Sequence, residues 1–292
     1  MTKSLFYVGD TADGCPEIKD ESIDLIITSP PYFKRDGYTD DLMFALGSVF
    51  NRVLKPGGRA YVIFGQINEK LDRPYDVQTH IILGGANQLA PAQTIIWVKS
   101  IAVGDWAEKC PSCDHSYRTE AVSRGHFQPI NSKNLLNYCW EYVIGFIKEP
   151  VAKVLPLNRK AEGVGVPYAV KSNIKRWKSA ADALHCPGDV WFLPHETTGA
   201  TVKKVHRHEF PLELARRLVM ISGIPKGSTV FDPFAGGGTT CYAAHSCGMN
   251  SVGYDVNKSA VDTLRRTWSL GINGLSNNNN KGEDNVRDTI CP

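Results

Sequence analysis

Two short stretches bring together residue types that can do chemistry. The first is Thr28-Ser29-Pro30-Pro31-Tyr32, directly after the apolar run Ile23-Asp24-Leu25-Ile26-Ile27. Proline fixes φ and lacks an N–H, so Ser29-Pro30-Pro31-Tyr32 should form a stiff ledge at a strand's end. The Ser29 hydroxyl and the Pro30 carbonyl are then fixed acceptors beside an aromatic ring. The second stretch is Phe231-Asp232-Pro233-Phe234-Ala235-Gly236-Gly237-Gly238-Thr239-Thr240. Successive glycines let a ligand approach the backbone closely. A helix opening at Thr239 adds free N–H groups and the positive end of its dipole. Asp255 ends the next apolar run, Ser251–Tyr254, a place where an acid commonly binds ribose hydroxyls. Taken singly, each stretch also reads as an ordinary turn. The dinucleotide fingerprint G-x-G-x-x-G is absent, which argues against NAD or FAD, and no Lys-Ser or Lys-Thr follows the glycines, which excludes a phosphate-binding P-loop.

The elements that must hold these stretches follow an alternating pattern. Seven candidate buried strands are legible: Leu5–Val8, Ile23–Thr28, Ala60–Phe64, Thr94–Val98, Tyr142–Ile147, Thr229–Phe231 and Ser251–Tyr254. Candidate helices are Asp41–Leu54, Pro211–Ser222, Thr239–Cys247 and Lys258–Leu270. In the first helix Leu42, Ala45, Leu46, Val49, Val53 and Leu54 form a one-face stripe, and Lys55-Pro56-Gly57-Gly58 is its stop signal. Strands alternating with helices indicate an α/β fold with a mostly parallel sheet, whose ligands gather at the carboxyl ends of the strands. The stretch from about 100 to 195 breaks the rhythm and reads as an insertion. The end, from 273 to 292, holds four consecutive asparagines and reads as a disordered tail.

With 292 residues and 42% apolar content, the chain can bury a sizeable core. No apolar run is long enough to span a membrane, and the N-terminus lacks a signal-peptide pattern. Eight cysteines in such a chain read as reduced thiols or metal ligands, which suits a cytoplasmic protein. The net charge of +3 excludes little, but ten Lys/Arg against five acids fall between Glu149 and Arg207. Within that stretch Lys175-Arg176-Trp177-Lys178 interleaves basic and aromatic side chains, as phosphate and base contacts require; a Trp packed into a core explains the same pattern. Cys110 and Cys113, with His115 and His126 nearby, have the spacing of half a zinc site. A complete site needs four ligands, so two reduced loop cysteines is the preferred reading and zinc is not favoured.

In the order of its motifs the chain resembles the amino-methylating DNA methyltransferases of the permuted β group. Asp232-Pro233-Phe234-Ala235-Gly236-Gly237-Gly238-Thr239 is similar to that family's cofactor loop, and Ser29-Pro30-Pro31-Tyr32 to its catalytic motif. The catalytic motif comes first, a variable recognition region lies between, and the cofactor loop comes last. Gly9-Asp10 resembles the family's adenine-side acid. Leu54-Lys55-Pro56-Gly57-Gly58, Ile96-Trp97-Val98-Lys99, Glu141-Tyr142-Val143-Ile144, Asp189-Val190-Trp191 and His208–Leu214 resemble lesser family segments. Where many members read His-Pro-Ala-x-Phe-Pro, this chain reads His206-Arg207-His208-Glu209-Phe210-Pro211, so the cofactor-carboxylate contacts do not carry over.

The resemblance implies a Rossmann-like methyltransferase fold: a circularly permuted, mostly parallel seven-stranded twisted sheet flanked by helices, filling 1–272 with a recognition insert at about 100–195. It implies S-adenosylmethionine as cofactor, held by Asp10, Asp232, Pro233, Phe234, Ala235, Gly236, Gly238, Thr239 and Asp255. It implies double-stranded DNA as partner and a possible cognate restriction endonuclease; the basic-aromatic pattern makes Lys175, Arg176, Trp177 and Lys178 the expected DNA contacts. The catalytic residues would be Ser29, Pro30, Pro31 and Tyr32. An exocyclic amine is a poor nucleophile because its lone pair is delocalised into the ring. Ser29 and the Pro30 carbonyl would accept its hydrogens, while Tyr32 stacks on a flipped base. Serine at the first position accompanies N4-cytosine in this family and aspartate N6-adenine. Cytosine is therefore the expected base, with adenine, or an RNA amine, as alternatives. Ring-carbon methylation is not expected, since no Pro-Cys dipeptide is present.

Overall fold

The computed structural model describes residues 2–32, 39–65, 77–100, 139–159, 161, 187–194 and 210–270, with the backbone of a few short strands between 101 and 185. Nine strands form one sheet. They are β1 (Ser4–Val8), β2 (Ile23–Thr28), β3 (Leu54–Gly65), β4 (Leu89–Pro91), β5 (Ile95–Val98), β6 (Trp140–Lys148), β7 (Val190–Phe192), β8 (Thr229–Asp232) and β9 (Asn250–Asp255). The sheet order is β1-β9-β8-β2-β3-β6-β5-β7, with β4 also paired to β6. The ladders from β1 to β3 are parallel, whereas β6 runs antiparallel to β3, β4 and β5. All seven strands expected from sequence lie in the sheet. The expected count of seven is corrected by β4 and β7, of three residues each, too short to show a period. Two sheet strands, β6 and β7, fall inside the stretch read as an insertion.

Among the described residues five helices flank the sheet: α1 (Asp40–Val53), α2 (Val77–Gly84), α3 (Leu212–Ile221), α4 (Thr239–Ser246) and α5 (Lys258–Ser269). Helix α1 starts where the Thr39 side chain accepts the Leu42 N–H at 3.0 Å, a capping contact commonly worth about 1 kcal/mol. Its buried stripe, Leu42, Met43, Leu46, Val49, Phe50 and Val53, packs with Ile23 and Ile26 of β2 and Val62 of β3. On the opposite face, Leu214 and Leu218 of α3 and Ala244 of α4 pack with Leu25, Ile27 and Val230. Strand β2 is thus covered on both faces, which explains its apolar run Leu25-Ile26-Ile27. Burying each of its Leu and Ile side chains contributes roughly 1.5–3 kcal/mol. The stop signal after α1 sits within β3, because that strand begins at Leu54. Between the pairs Ile23–Leu54 and Leu25–Arg59 the register shifts. Pro56-Gly57-Gly58 bulges there, with Gly57 at φ +82°.

This arrangement decides where a ligand belongs. Strands β2 and β8 are parallel neighbours, with Leu25 opposite Val230 and Ile26 opposite Phe231. The chain leaves β2 toward α1 on one face and leaves β8 toward α4 on the other. The two connections diverge and open a crevice at the carboxyl edge, the topological switch point where open α/β sheets bind ligands.

Candidate active site

Both motifs meet at that crevice through one buried carboxylate. Asp232, 2% exposed, ends β8. Its Oδ1 accepts from the Thr28 hydroxyl at 2.7 Å and the Phe234 N–H at 3.0 Å. Its Oδ2 accepts from the Thr240 hydroxyl at 2.7 Å, and that hydroxyl also lies 3.2 Å from the Ile27 carbonyl. Burial pushes the Asp232 carboxyl up to about 6, against the pull of these hydrogen bonds; the nearby Asp255 charge pushes the same way. Asp232 therefore clamps the glycine loop to the end of β2.

The loop is held in shape by neighbours close in sequence. Ala235 N–H donates to the Tyr254 carbonyl at 2.9 Å, and Gly236 N–H donates to Asp255 Oδ2 at 2.8 Å. Gly236 and Gly238 have φ of +48° and +87°, a region that side-chain-bearing residues enter only with strain. A Cβ on Gly238 would lie 2.5 Å from Leu264 Cδ2. Gly238 caps α4 at Thr239, so the first N–H groups of that helix, which have no partner within it, open at the loop. Asp255 Oδ1 accepts from Asn257 N–H at 2.8 Å. The Asp10 side chain accepts from Ala12 N–H at 2.9 Å, and the Thr11 hydroxyl donates to the Pro233 carbonyl at 2.7 Å. A cavity of about 250 Å³ lies here, lined by Asp10, Thr11, Pro31, Pro233, Phe234 and Val256 among others. It lies between the Asp10 turn, Pro31 of the ledge and Pro233-Phe234 at the start of the glycine loop.

On the other side of the crevice stands the ledge. The Tyr32 hydroxyl donates to Glu141 Oε2 at 2.9 Å, and Ser29 Oγ lies 3.4 Å from the Tyr32 hydroxyl oxygen. Lys99 Nζ donates to Glu141 Oε1 at 2.6 Å. Sheet register explains this meeting. Glu141 on β6 stands opposite Gly65 on β3 and opposite Trp97 on β5, which puts Lys99 on its diagonal. Gly65 leaves room for Tyr32 to cross the end of β3, since a Cβ there would lie 2.5 Å from Tyr32 Cε2. The Tyr32 ring packs on Phe64 with centroids 5.1 Å apart. Trp97 is buried and donates its Nε1–H to the Leu193 carbonyl at 2.8 Å, fixing the strand that ends just before Lys99.

Of the residues expected from sequence, the structure gathers Asp10, Ser29, Pro31, Tyr32, Asp232–Thr239 and Asp255 around this crevice, and Pro30, within the ledge, is buried. Lys175, Arg176, Trp177, Lys178, Cys110, Cys113, His206 and His208, and the stretch 273–292, lie outside the described residues. Thr28, Thr240, Lys99 and Glu141 had no assigned role in the sequence. The last two were visible as charges bounding apolar runs, within segments that resemble lesser parts of the family. Among the described residues no group of His, Cys, Asp and Glu is placed to hold a metal ion. No described helix is long and apolar enough to cross a membrane. Described cysteines are free, and burial pushes the Cys15 and Cys241 thiols up to about 12, which suits packing rather than nucleophilic attack.

Residues 23–266 match the model of the N6/N4 methyltransferases, described as DNA methylase. The chain belongs to this DNA methylase family. It is 27% identical over 275 residues to the type II methyltransferase M.BglII of Bacillus subtilis, an alignment covering 88% of this chain and 66% of M.BglII. The fold is shared with the PvuII DNA methyltransferase (cytosine-N4-specific), at TM-score 0.62 and 17% identity over 95% of this chain and 88% of that one. It is shared also with TTHA0409 of Thermus thermophilus in complex with S-adenosyl-L-methionine. There the TM-score is 0.56 and the identity 21%, over 94% and 97% of the two chains. Both solved structures carry the methyltransferase architecture of a mostly parallel sheet between helices, as this chain does.

Proposed function

We propose that the protein transfers a methyl group from S-adenosylmethionine to the N4 amine of cytosine in duplex DNA. The observation that carries this reading is the Thr28–Asp232–Thr240 junction, which sets the serine ledge and the glycine loop side by side at the switch point. Family membership supports methyl transfer to a base amine, and the cofactor bound in the Thermus neighbour supports the choice of methyl donor. Ser29, in place of the aspartate that accompanies adenine methylation, supports cytosine.

The residues present fit that cofactor. Asp255 offers its remaining acceptor capacity to ribose hydroxyls, and Asp10 stands at the adenine side of the cavity. Phe234 and Val256 supply apolar walls; Val256 is 71% exposed beside the cavity. The backbone from Pro233 to Thr239 faces the methionine part, above the buried Asp232 carboxylate. When bound, the cofactor supplies an electrophilic sulfonium methyl. Ser29 Oγ and the Pro30 carbonyl accept the two hydrogens of the amine, stabilise the positive charge that develops on nitrogen and aim its lone pair. Tyr32 stacks on the flipped base. Duplex DNA is the substrate of this reading, with the basic stretch Lys175 to Lys178 as the contacts expected from sequence, and a type II restriction endonuclease is the partner that such a methylase would protect against.

Labelled S-adenosylmethionine and duplex DNA, followed by digestion to nucleosides, test the assignment. N4-methylcytosine is the expected product. N6-methyladenine would overturn the base while leaving the ledge chemistry in place, and label in RNA alone would overturn the substrate.

A further inference from the structure

The amine must meet a Ser29 oxygen, not a Ser29 hydrogen, and something in the site has to enforce that. A carboxylate offers only acceptor sites and an ammonium only donors. Glu141 is 9% exposed, with Lys99 donating to one oxygen at 2.6 Å and the Tyr32 hydroxyl to the other at 2.9 Å. With its only hydrogen committed to Glu141, the phenol oxygen can take part in a further bond only as acceptor. The group next to it is Ser29, whose Oγ donates to that oxygen across 3.4 Å. Serine also has a single hydroxyl hydrogen. Aimed at Tyr32, it leaves only lone pairs for the base.

We propose that Glu141, held by Lys99, acts through Tyr32 to set Ser29 as a hydrogen-bond acceptor toward the exocyclic amine, which makes Glu141 and Lys99 positioning residues. This rests on the role given to Ser29 above. Every donor in the series Lys99, Glu141, Tyr32, Ser29 then points away from the base. The 3.4 Å step is long for an O–H···O bond, which commonly spans about 2.7–2.8 Å; catalytic hydrogen bonds are often long before substrate enters. The sheet itself does not require the ion pair. Glu141's ladder partners are Gly65 and Trp97, and buried ion pairs can often be replaced by apolar side chains without loss of stability. What the pair does hold is the Tyr32 hydroxyl.

The test is a double-mutant cycle in methyl transfer to duplex DNA. Glu141→Gln keeps the shape but adds an N–H donor that lets the series reverse. Tyr32→Phe removes only the hydroxyl and keeps the stacking ring. Each should lower kcat about tenfold or more, with KM for duplex and affinity for S-adenosylmethionine within about twofold of wild type. The double variant should be no slower than the slower single one, because both break one series. Multiplying losses would overturn the proposal, as would wild-type turnover in Tyr32→Phe, a variant that keeps the ring packing even if Glu141→Gln misfolds. Ser29→Ala in the same assay separates the two levels. A silent Ser29→Ala removes the functional reading itself. An inactive Ser29→Ala beside fully active Glu141→Gln and Tyr32→Phe overturns this inference alone.

Discussion

From Ala235 on, the glycine loop is held by partners close along the chain: Gly236 bonds to Asp255 19 positions on, and Ala235 to Tyr254. The serine ledge is completed from far away, with Tyr32 bonded to Glu141 across 109 positions. The loop's shape is thus encoded where the loop is, in glycines at left-handed φ and an acid at the next strand's end. The ledge owes its stiffness to Pro30-Pro31, but its polarity to the sheet order that lays β3 between β2 and β6. Changes in the loop should therefore damage cofactor binding and folding together, and changes around the ledge should damage turnover alone.

The sharpest way to break this contrast is Gly238→Val. A β-branched residue at φ +87°, with its Cβ against Leu264, should cost on the order of 3 kcal/mol. Thermal melts and calorimetric titration with S-adenosylmethionine should fall together. Intact cofactor affinity would mean that the loop does not depend on this conformation.

Asp232, which joins the two regions, gives a pH-dependent prediction. Its folded value, about 6, lies above the ordinary 3.8, so the folded state binds the proton more tightly than the unfolded chain does. The stability contributed by the protonated acid is full below about 3.8 and is lost as pH rises through about 6. Compared with Asp232→Asn, wild type should lose on the order of 3 kcal/mol of relative stability between about pH 4 and pH 7. Denaturant melts of both proteins across that range measure it; a constant difference would mean that the carboxylate is not desolvated.

Gly65→Ala is a smaller perturbation that should touch the ledge alone. The new methyl meets the Tyr32 ring, and forcing that ring off its rotamer costs about 0.5–1.5 kcal/mol. Turnover should fall severalfold with cofactor affinity unchanged. A parallel loss of cofactor affinity would show that the two regions are not separable.

The same contrast explains what was legible in the sequence. Strand β2, helix α4 and the loop between β8 and α4 were placed to within a residue or two, because apolar runs, glycines and caps act locally. Helix α2 was missed, since Val-Gln-Thr-His-Ile-Ile-Leu-Gly clusters its apolar residues without a helical stripe. Strands β4 and β7 were missed for their shortness. The motifs themselves were readable, yet not that Thr28 and Thr240 share Asp232. Nor was it readable that Glu141 and Lys99 reach Tyr32, because those pairings depend on which strands become neighbours. A charge bounding an apolar run in a family-like segment named each residue but not its partner.

The most direct test of the central claim is single-turnover methyl transfer by Ser29→Ala, with S-adenosylmethionine affinity measured on the same protein. Thr28, not Ser29, bonds to the loop's Asp232, and the Ser29 hydroxyl is turned to Tyr32, so the account predicts unchanged cofactor affinity and a rate lower by about a hundredfold or more, as for loss of one preorganised group at a developing charge. A wild-type rate in Ser29→Ala would contradict it.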